Sequence, residues 1–255
     1  MKFLLASLSL LPLMVLSQAF AAEPDNRFFE LRVYYANPGK LDALHARFRD
    51  HTCKLFEKHG MTNVGYWVPL DNPENKLIYI LAYPDKKARE ASWKAFLADE
   101  NWIKAKKESE KAGGLVAKVE QLYLTAADYS PKIAPSTGGE RIFEYRYYVA
   151  TPGNLDRLHN RFRQHTTKLF ETHGMTNLAY FVTDKGQKET DTVLFYLLAH
   201  KSVDAAKASF DAFRKDPKWI EAKTASEKEG GGSLTIAEGG VKSIYMKATD
   251  YSPIK

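Results

Sequence analysis

Glu, Arg and Tyr, set at alternate positions and repeated once, are the side chains best suited to chemistry in this sequence. Glu30, Arg32 and Tyr34 form the first set, and Glu144, Arg146 and Tyr148 return 114 residues later. An arginine fork can clamp a carboxylate or enolate oxygen, a glutamate can take a proton, and a tyrosine can donate a hydrogen bond. The plainer reading is an ion pair between i and i+2 neighbours, or a set that joins two layers. Tyr79 and Tyr196, then Tyr123 and Tyr245, recur on later runs, with Trp67 and Phe181 between them. They are candidates for the aromatic walls of a ligand site, and equally for core packing.

Six of the seven histidines pair in the same way: His45/His159, His51/His165 and His59/His173. Steps of 6 and 8 residues spread each set along a helix, and no HxxxH or CxxC pair exists. No metal site and no cofactor are expected from such spacing. His51 is placed in the seam between helix and sheet, and His59 at a helix end. Cys53 is the only cysteine, and its counterpart is Thr167, so a disulfide and a thiol chemistry common to both halves are excluded. No GxSxG elbow, P-loop or GxGxxG cradle is present.

The elements that hold these residues come from a duplicated chain. Phe29 to Asn63 matches Phe143 to Asn177 at 25 of 35 positions, too long a unit for a solenoid. Arg27 to Ala36 alternates as a strand does, with Glu30, Arg32 and Tyr34 on one face and Phe29, Leu31, Val33 and Tyr35 on the other. Pro38-Gly39 breaks it. A helix is predicted over Lys40 to His59, with Leu41, Leu44, Phe48 and Leu55 on one side and Gly60 as its terminator. Strands follow at Thr62–Pro69 and Lys76–Tyr83, a helix at Asp85–Ala98, a short helix around Trp102, and a strand at Ala117–Thr125. The order βαββαβ is a split-βαβ pattern, and the second copy repeats it. The expected organisation is a leader over 1–21, repeats over 27–131 and 141–253, and a polar linker over 132–140.

The fold class is therefore α+β: two ferredoxin-like repeats. A four-stranded sheet with helices on one side must bury its other face. Two copies solve this by packing sheet to sheet about a pseudo-twofold axis, which gives an internal pseudo-dimeric α+β barrel. The face kept between copies (Glu30, Arg32, Tyr34) is expected to point into that enclosed interior, and the face that drifts (Leu31 to Tyr145, Val33 to Tyr147, Tyr35 to Val149) to lie under the helices.

The run ELRVYYANPGKLDALHARF, the HGM turn and the segment Ser92, Trp93, Phe96, Trp102 resemble the NIPSNAP family, of the dimeric α+β barrel superfamily. In the second copy the segment reads Ser209, Phe210, Phe213, Trp219, so its first Trp has become Phe. The resemblance covers both repeats. It implies the fold strongly and the activity weakly, since related barrels include cofactor-free monooxygenases and haem proteins.

Met1-Lys2, the apolar stretch Phe3 to Phe20 and the Ala19-Phe20-Ala21 pattern read as a signal peptide cleaved after Ala21, with a membrane anchor as the competing reading. The expected location is periplasmic or secreted, without stable membrane insertion after cleavage. Net charge is +6, but acids are mixed among the bases, as in KKESEK, so no nucleic-acid partner is expected. Three functions fit: a protein that binds a small, partly apolar anion between the repeats; a cofactor-independent oxygenase or isomerase using the Glu/Arg/Tyr set; and a structural protein with a packed interior. Further homo-oligomerisation is compatible with each.

Overall fold

A computed structural model of the chain describes residues 25–136, 138–187 and 192–255. The expected leader and its cleavage site lie outside the described residues. The first repeat contains β1 (Phe28–Ala36), α1 (Leu41–Arg47), a π-helical turn (Phe48–Thr52), α2 (Cys53–Lys58), β2 (Thr62–Pro69), β3 (Lys76–Tyr83), α3 (Lys86–Ala98), α4 (Glu100–Ser109) and β4 (Val116–Ala126). The second contains β5 (Ile142–Val149), α5 (Leu155–Arg161), a π-helical turn (Phe162–Thr166), α6 (Thr167–Thr172), β6 (Thr176–Thr183), β7 (Val193–His200), α7 (Val203–Lys215), α8 (Pro217–Glu229) and β8 (Val241–Ala248). Among the described residues no helix is long and apolar enough to cross a membrane.

Local chemistry sets the ends of these elements. After α2, Gly60 takes φ +78°, its N–H donates to the Glu57 carbonyl, and the Met61 N–H reaches back to the Phe56 carbonyl at 3.0 Å. This is a Schellman cap, and the HGM phrase encodes it: Gly supplies the left-handed residue, and buried Met61 follows it onto Phe56. Gly174 and Met175 repeat it. Asp85 and Asp99 cap α3 and α4 by accepting from the N–H groups of Ala88 and Asn101.

All eight strands close into one antiparallel barrel in the order β1-β3-β2-β8-β5-β7-β6-β4. Each repeat supplies four neighbouring strands. The seams between repeats are short: Trp67–Pro69 against Met246–Ala248, and Leu124–Ala126 against Phe181–Thr183. β1 and β5 therefore stand opposite each other, and the pseudo-twofold axis runs along the barrel. The sheet-to-sheet barrel read from the sequence is the one observed.

The two faces of the strands are the reverse of the expectation. Phe29, Leu31 and Val33 point into the barrel with Trp67, Ile78, Ile80, Phe143, Phe181, Phe195 and Met246. Glu30, Arg32 and Tyr34 face outward, into the layer between sheet and helices, where Tyr34 and Tyr79 pack with Phe48 and Phe56. The reason lies on the axis. A residue inside the barrel packs against the other repeat, as Phe29 does on Phe181 and Trp67 on Phe143, so its surroundings differ between the copies. A residue under the helices is packed within its own repeat, and the same surroundings keep the same residue twice.

The DYSP phrases exchange partners between the halves. Asp250 receives both Nε and Nη2 of Arg49, at 2.5 and 2.8 Å, and the Tyr251 hydroxyl lies 2.8 Å from His45 Nδ1. Ser252 Oγ accepts the Tyr66 N–H at 2.9 Å. The first repeat's phrase does the same to the second: Asp128 with Arg163, Tyr129 with His159 at 2.7 Å, and Ser130 with the Tyr180 N–H at 3.0 Å. Each copy ends by clasping the other. His45 and His159, not His51, occupy this junction; His51 and His165 are exposed because the π-helical turn adds a residue and rotates them outward. His59 ends α2 as expected and lies 2.8 Å from Asp99.

Candidate ligand-binding site between sheet and helices

Glu30 is fully buried at the centre of the first repeat's outer sheet face. Its carboxylate accepts from Arg32 Nη1 at 2.6 Å, Arg89 Nη2 at 2.8 Å and Nε at 3.1 Å, the Tyr83 hydroxyl at 2.9 Å and the Trp93 indole N–H at 2.8 Å. Burial alone would raise its pKa. The hydrogen bond from Arg89 and the charges of Arg32 and Arg89 outweigh that and hold it below the ordinary glutamate range. Burial likewise opposes the charge on Arg32, but Tyr79, Tyr34 and Glu30 more than restore it. Glu30 is thus a fixed anion that aims two guanidinium groups, and a carboxylate so occupied is a poor proton acceptor.

Arg32 lies with its guanidinium 4.4 Å from the Trp93 ring centroid. One of its nitrogens bonds Gln121 at 3.1 Å, and another reaches Tyr34 at 3.4 Å. Among the described residues its Nε has no partner. Arg47, the last residue of α1, donates to Glu110 at 2.8 Å and lies over the Trp102 ring at 5.3 Å, and its Nε is also unpartnered. In the π-helical turn that follows Arg47, buried Thr52 donates its hydroxyl back to the Arg47 carbonyl at 3.1 Å.

Between these groups lies a cavity of about 590 Å³, lined by Arg32, Arg47 and Arg89 and by the rings of Tyr34, Phe48, Trp93 and Trp102. Its size suits a small organic ligand. Arg32, Arg47, Arg89 and Lys106 stand against Glu30 and Glu110, four cations to two anions. Leu97 and Val119 leave apolar surface at the entrance, 57% and 42% exposed. The arrangement can hold an anion on arginine while its apolar body lies on aromatic rings.

The second repeat has the same plan around a smaller space. Glu144 accepts from Arg146 Nη1 at 2.5 Å, Ser243 Oγ at 2.5 Å and His200 Nε2 at 2.9 Å. Arg146 also donates through Nε to Tyr196 at 2.8 Å and through Nη2 to Tyr148 at 2.9 Å, so no nitrogen position is left idle as in Arg32. Ala206 stands where Arg89 stands in the first copy, and Phe210 where Trp93 stands. The corresponding cavity holds about 220 Å³.

The residues singled out from sequence therefore gather at two separate places, one in each repeat, rather than in one chamber between them. Tyr79 and Tyr196 are wholly buried and stack on Tyr66 and Tyr180 at 5.3 and 5.2 Å, as core. Tyr123 lies under Arg89 at 4.9 Å, and Tyr245 lies beside His200. Trp67 and Phe181 belong to the barrel interior, so the expected aromatic wall is divided between two faces. Sequence reasoning missed Arg89, Tyr83 and Arg47. Arg89 and Trp93 are i,i+4 neighbours on one helix face, a usable signal. A search confined to residues common to both copies passes over Arg89, because its counterpart is alanine.

A family profile described as NIPSNAP matches residues 29–131 and 143–253. No curated protein is a match. Among solved structures, a putative monooxygenase from Fusobacterium nucleatum is similar over 88% of this chain and 92% of its own, with a TM-score of 0.55 and 11% identity. A putative monooxygenase from Lactobacillus acidophilus is similar over 89% and 98%, with a TM-score of 0.54 and 10% identity. An uncharacterised NIPSNAP-like domain protein from Burkholderia xenovorans is 18% identical over 44% of this chain and 96% of its own, with a TM-score of 0.39. At these identities the likeness is one of fold.

Proposed function

We propose, from the premise that this chain belongs to the NIPSNAP family, that it is an exported receptor for one small, partly apolar anion, held under the helices of the first repeat. The observation that carries the reading is an aromatic-lined cavity of about 590 Å³ in which Arg32, Arg47, Arg89 and Lys106 stand against Glu30 and Glu110. An anion offsets that surplus of positive charge while its apolar body lies on the rings. Export rests on the leader-like segment alone. The site differs from the one expected between the repeats, but the chemistry of the ligand is the same.

The oxygenase or isomerase reading asks Glu30 to act as a base. Its crowd of donors supports a positioning role instead. A packed, purely structural protein would leave no space where these arginines sit.

Native mass spectrometry of protein isolated from its own compartment should find a retained molecule. In titration calorimetry the apo protein should bind 2-naphthoate at one site per chain. Arg32→Gln and Arg47→Gln should each weaken it at least tenfold, and Arg161→Gln in the second repeat should not. Failure to retain any molecule, together with no saturable heat, would overturn the proposal.

A further inference from the structure

The barrel interior itself is open at one end. Ile133, following β4, and Ile254, following β8, are buried in the interior core and close the end at which β1 and β5 begin. At the opposite end, on the pseudo-twofold axis, lies a cavity of about 580 Å³. Leu31, Val33, Ile78, Leu122 and Ile244 give it an aliphatic floor from strands of both repeats, and Tyr35, Tyr145 and Tyr147 complete the lining. Leu31 to Tyr35 spans four residues of strand, about 13 Å of depth.

The rim carries charge. On one side Glu120 is fully engaged, by the Tyr35 hydroxyl at 2.9 Å and by Lys118 at 2.5 Å. Lys76 pairs with Glu74 at 2.5 Å and lies over the Tyr35 ring. On the other side the counterpart of Glu120 is Lys242, whose ammonium lies 5.5 Å from the Tyr147 ring centroid. Among the described residues no carboxylate pairs with Lys242.

We propose that this open mouth is a second binding site, for a medium-length acyl chain with a carboxylate head, the chain lying along the barrel axis and the head meeting Lys242. It is independent of the pocket under the helices. The aliphatic floor takes the flexible chain, and Lys242, without a carboxylate partner among the described residues, takes the anionic head.

The test uses dodecanoate, with octanoate and decanoate as shorter probes and dodecanol as the uncharged one, titrated against the full chain. Affinity should rise about three- to fourfold per methylene. Two substitutions borrow residues from the other copy. Val33→Tyr, which puts at the mouth the ring carried at position 147, should weaken dodecanoate at least tenfold. Lys242→Glu, on an exposed strand position, should weaken dodecanoate about tenfold and leave dodecanol unchanged. Arg32→Gln should alter neither. If dodecanoate is lost on Arg32→Gln but not on Val33→Tyr or Lys242→Glu, it binds under the helices and the inference fails. It fails also if binding does not saturate or ignores chain length, or if Val33→Tyr only dissociates an oligomer.

Discussion

Lowering the pH from 7 to 5 should remove about 2 kcal/mol of folding stability through His159 alone. Burial, then the neighbouring Arg163 charge, push this histidine down to about 4 from its ordinary 6.5, against smaller opposing effects of Asp156 and Asp128. The unfolded chain therefore takes up a proton as pH falls through 6.5, while the folded chain does not until about 4. Stability falls across that window and levels off below it. At pH 5 the two binding polynomials differ about thirtyfold, and RT times the logarithm of that ratio gives the figure. His45, also lowered chiefly by burial, adds a loss of the same sign. Glu30 and Glu144 act only below their ordinary 4.5, outside the window. The assay is urea unfolding followed by circular dichroism at pH 7, 6 and 5, comparing the native chain with His159→Gln. The variant should lose about 2 kcal/mol less between pH 7 and 5 than the native chain. Equal losses in the two proteins would refute the reasoning, whatever the variant's stability at pH 7.

A β-carbon on Gly65 would lie 2.2 Å from the Trp67 ring. Gly65→Ala should therefore cost about 1–3 kcal/mol in urea unfolding, and adding Trp67→Phe should recover most of it, since the second copy carries Ala179 with Phe181. Glu30→Gln should destabilise by about 3–5 kcal/mol, because it leaves Arg32 and Arg89 facing each other without their anion. In the native chain the stabilisation from Glu30 is present above 4.5 and is lost as pH falls below it, which a midpoint series from pH 5 to 3 will register. The Cys53 thiol is pushed up to about 11 by burial. It should resist Ellman's reagent at pH 8 in the folded chain and react at once in urea.

The duplication made the fold legible. Strand alternation, the Gly60 and Gly174 helix ends and the need of each open sheet for cover led to the closed barrel. The site was half legible. Glu30, Arg32 and Tyr34 stand out because they recur, yet recurrence alone points them to the wrong side of the sheet. Drift between copies suggests the helix-covered face, when here it marks the face that packs against the other repeat. Two other features were hidden for different reasons. The π-helical turn at Phe48–Thr52 leaves no sharp periodic signature, so a wheel of constant pitch put His51 in the seam. The DYSP phrases gave no hint of direction, since a clasp on one's own repeat and a clasp on the other read identically in sequence.

Because Asp128 to Ser130 and Asp250 to Ser252 each secure the opposite half, the fused chain is a marriage of unequal partners that cannot part company one at a time. In an assembly of two identical chains, any change in one receptor is forced on the other. Here a single gene carries two separately mutable versions. One half carries Ala206 and a small hollow, its sibling carries Arg89 and a larger one, and both hold the shared cylinder together.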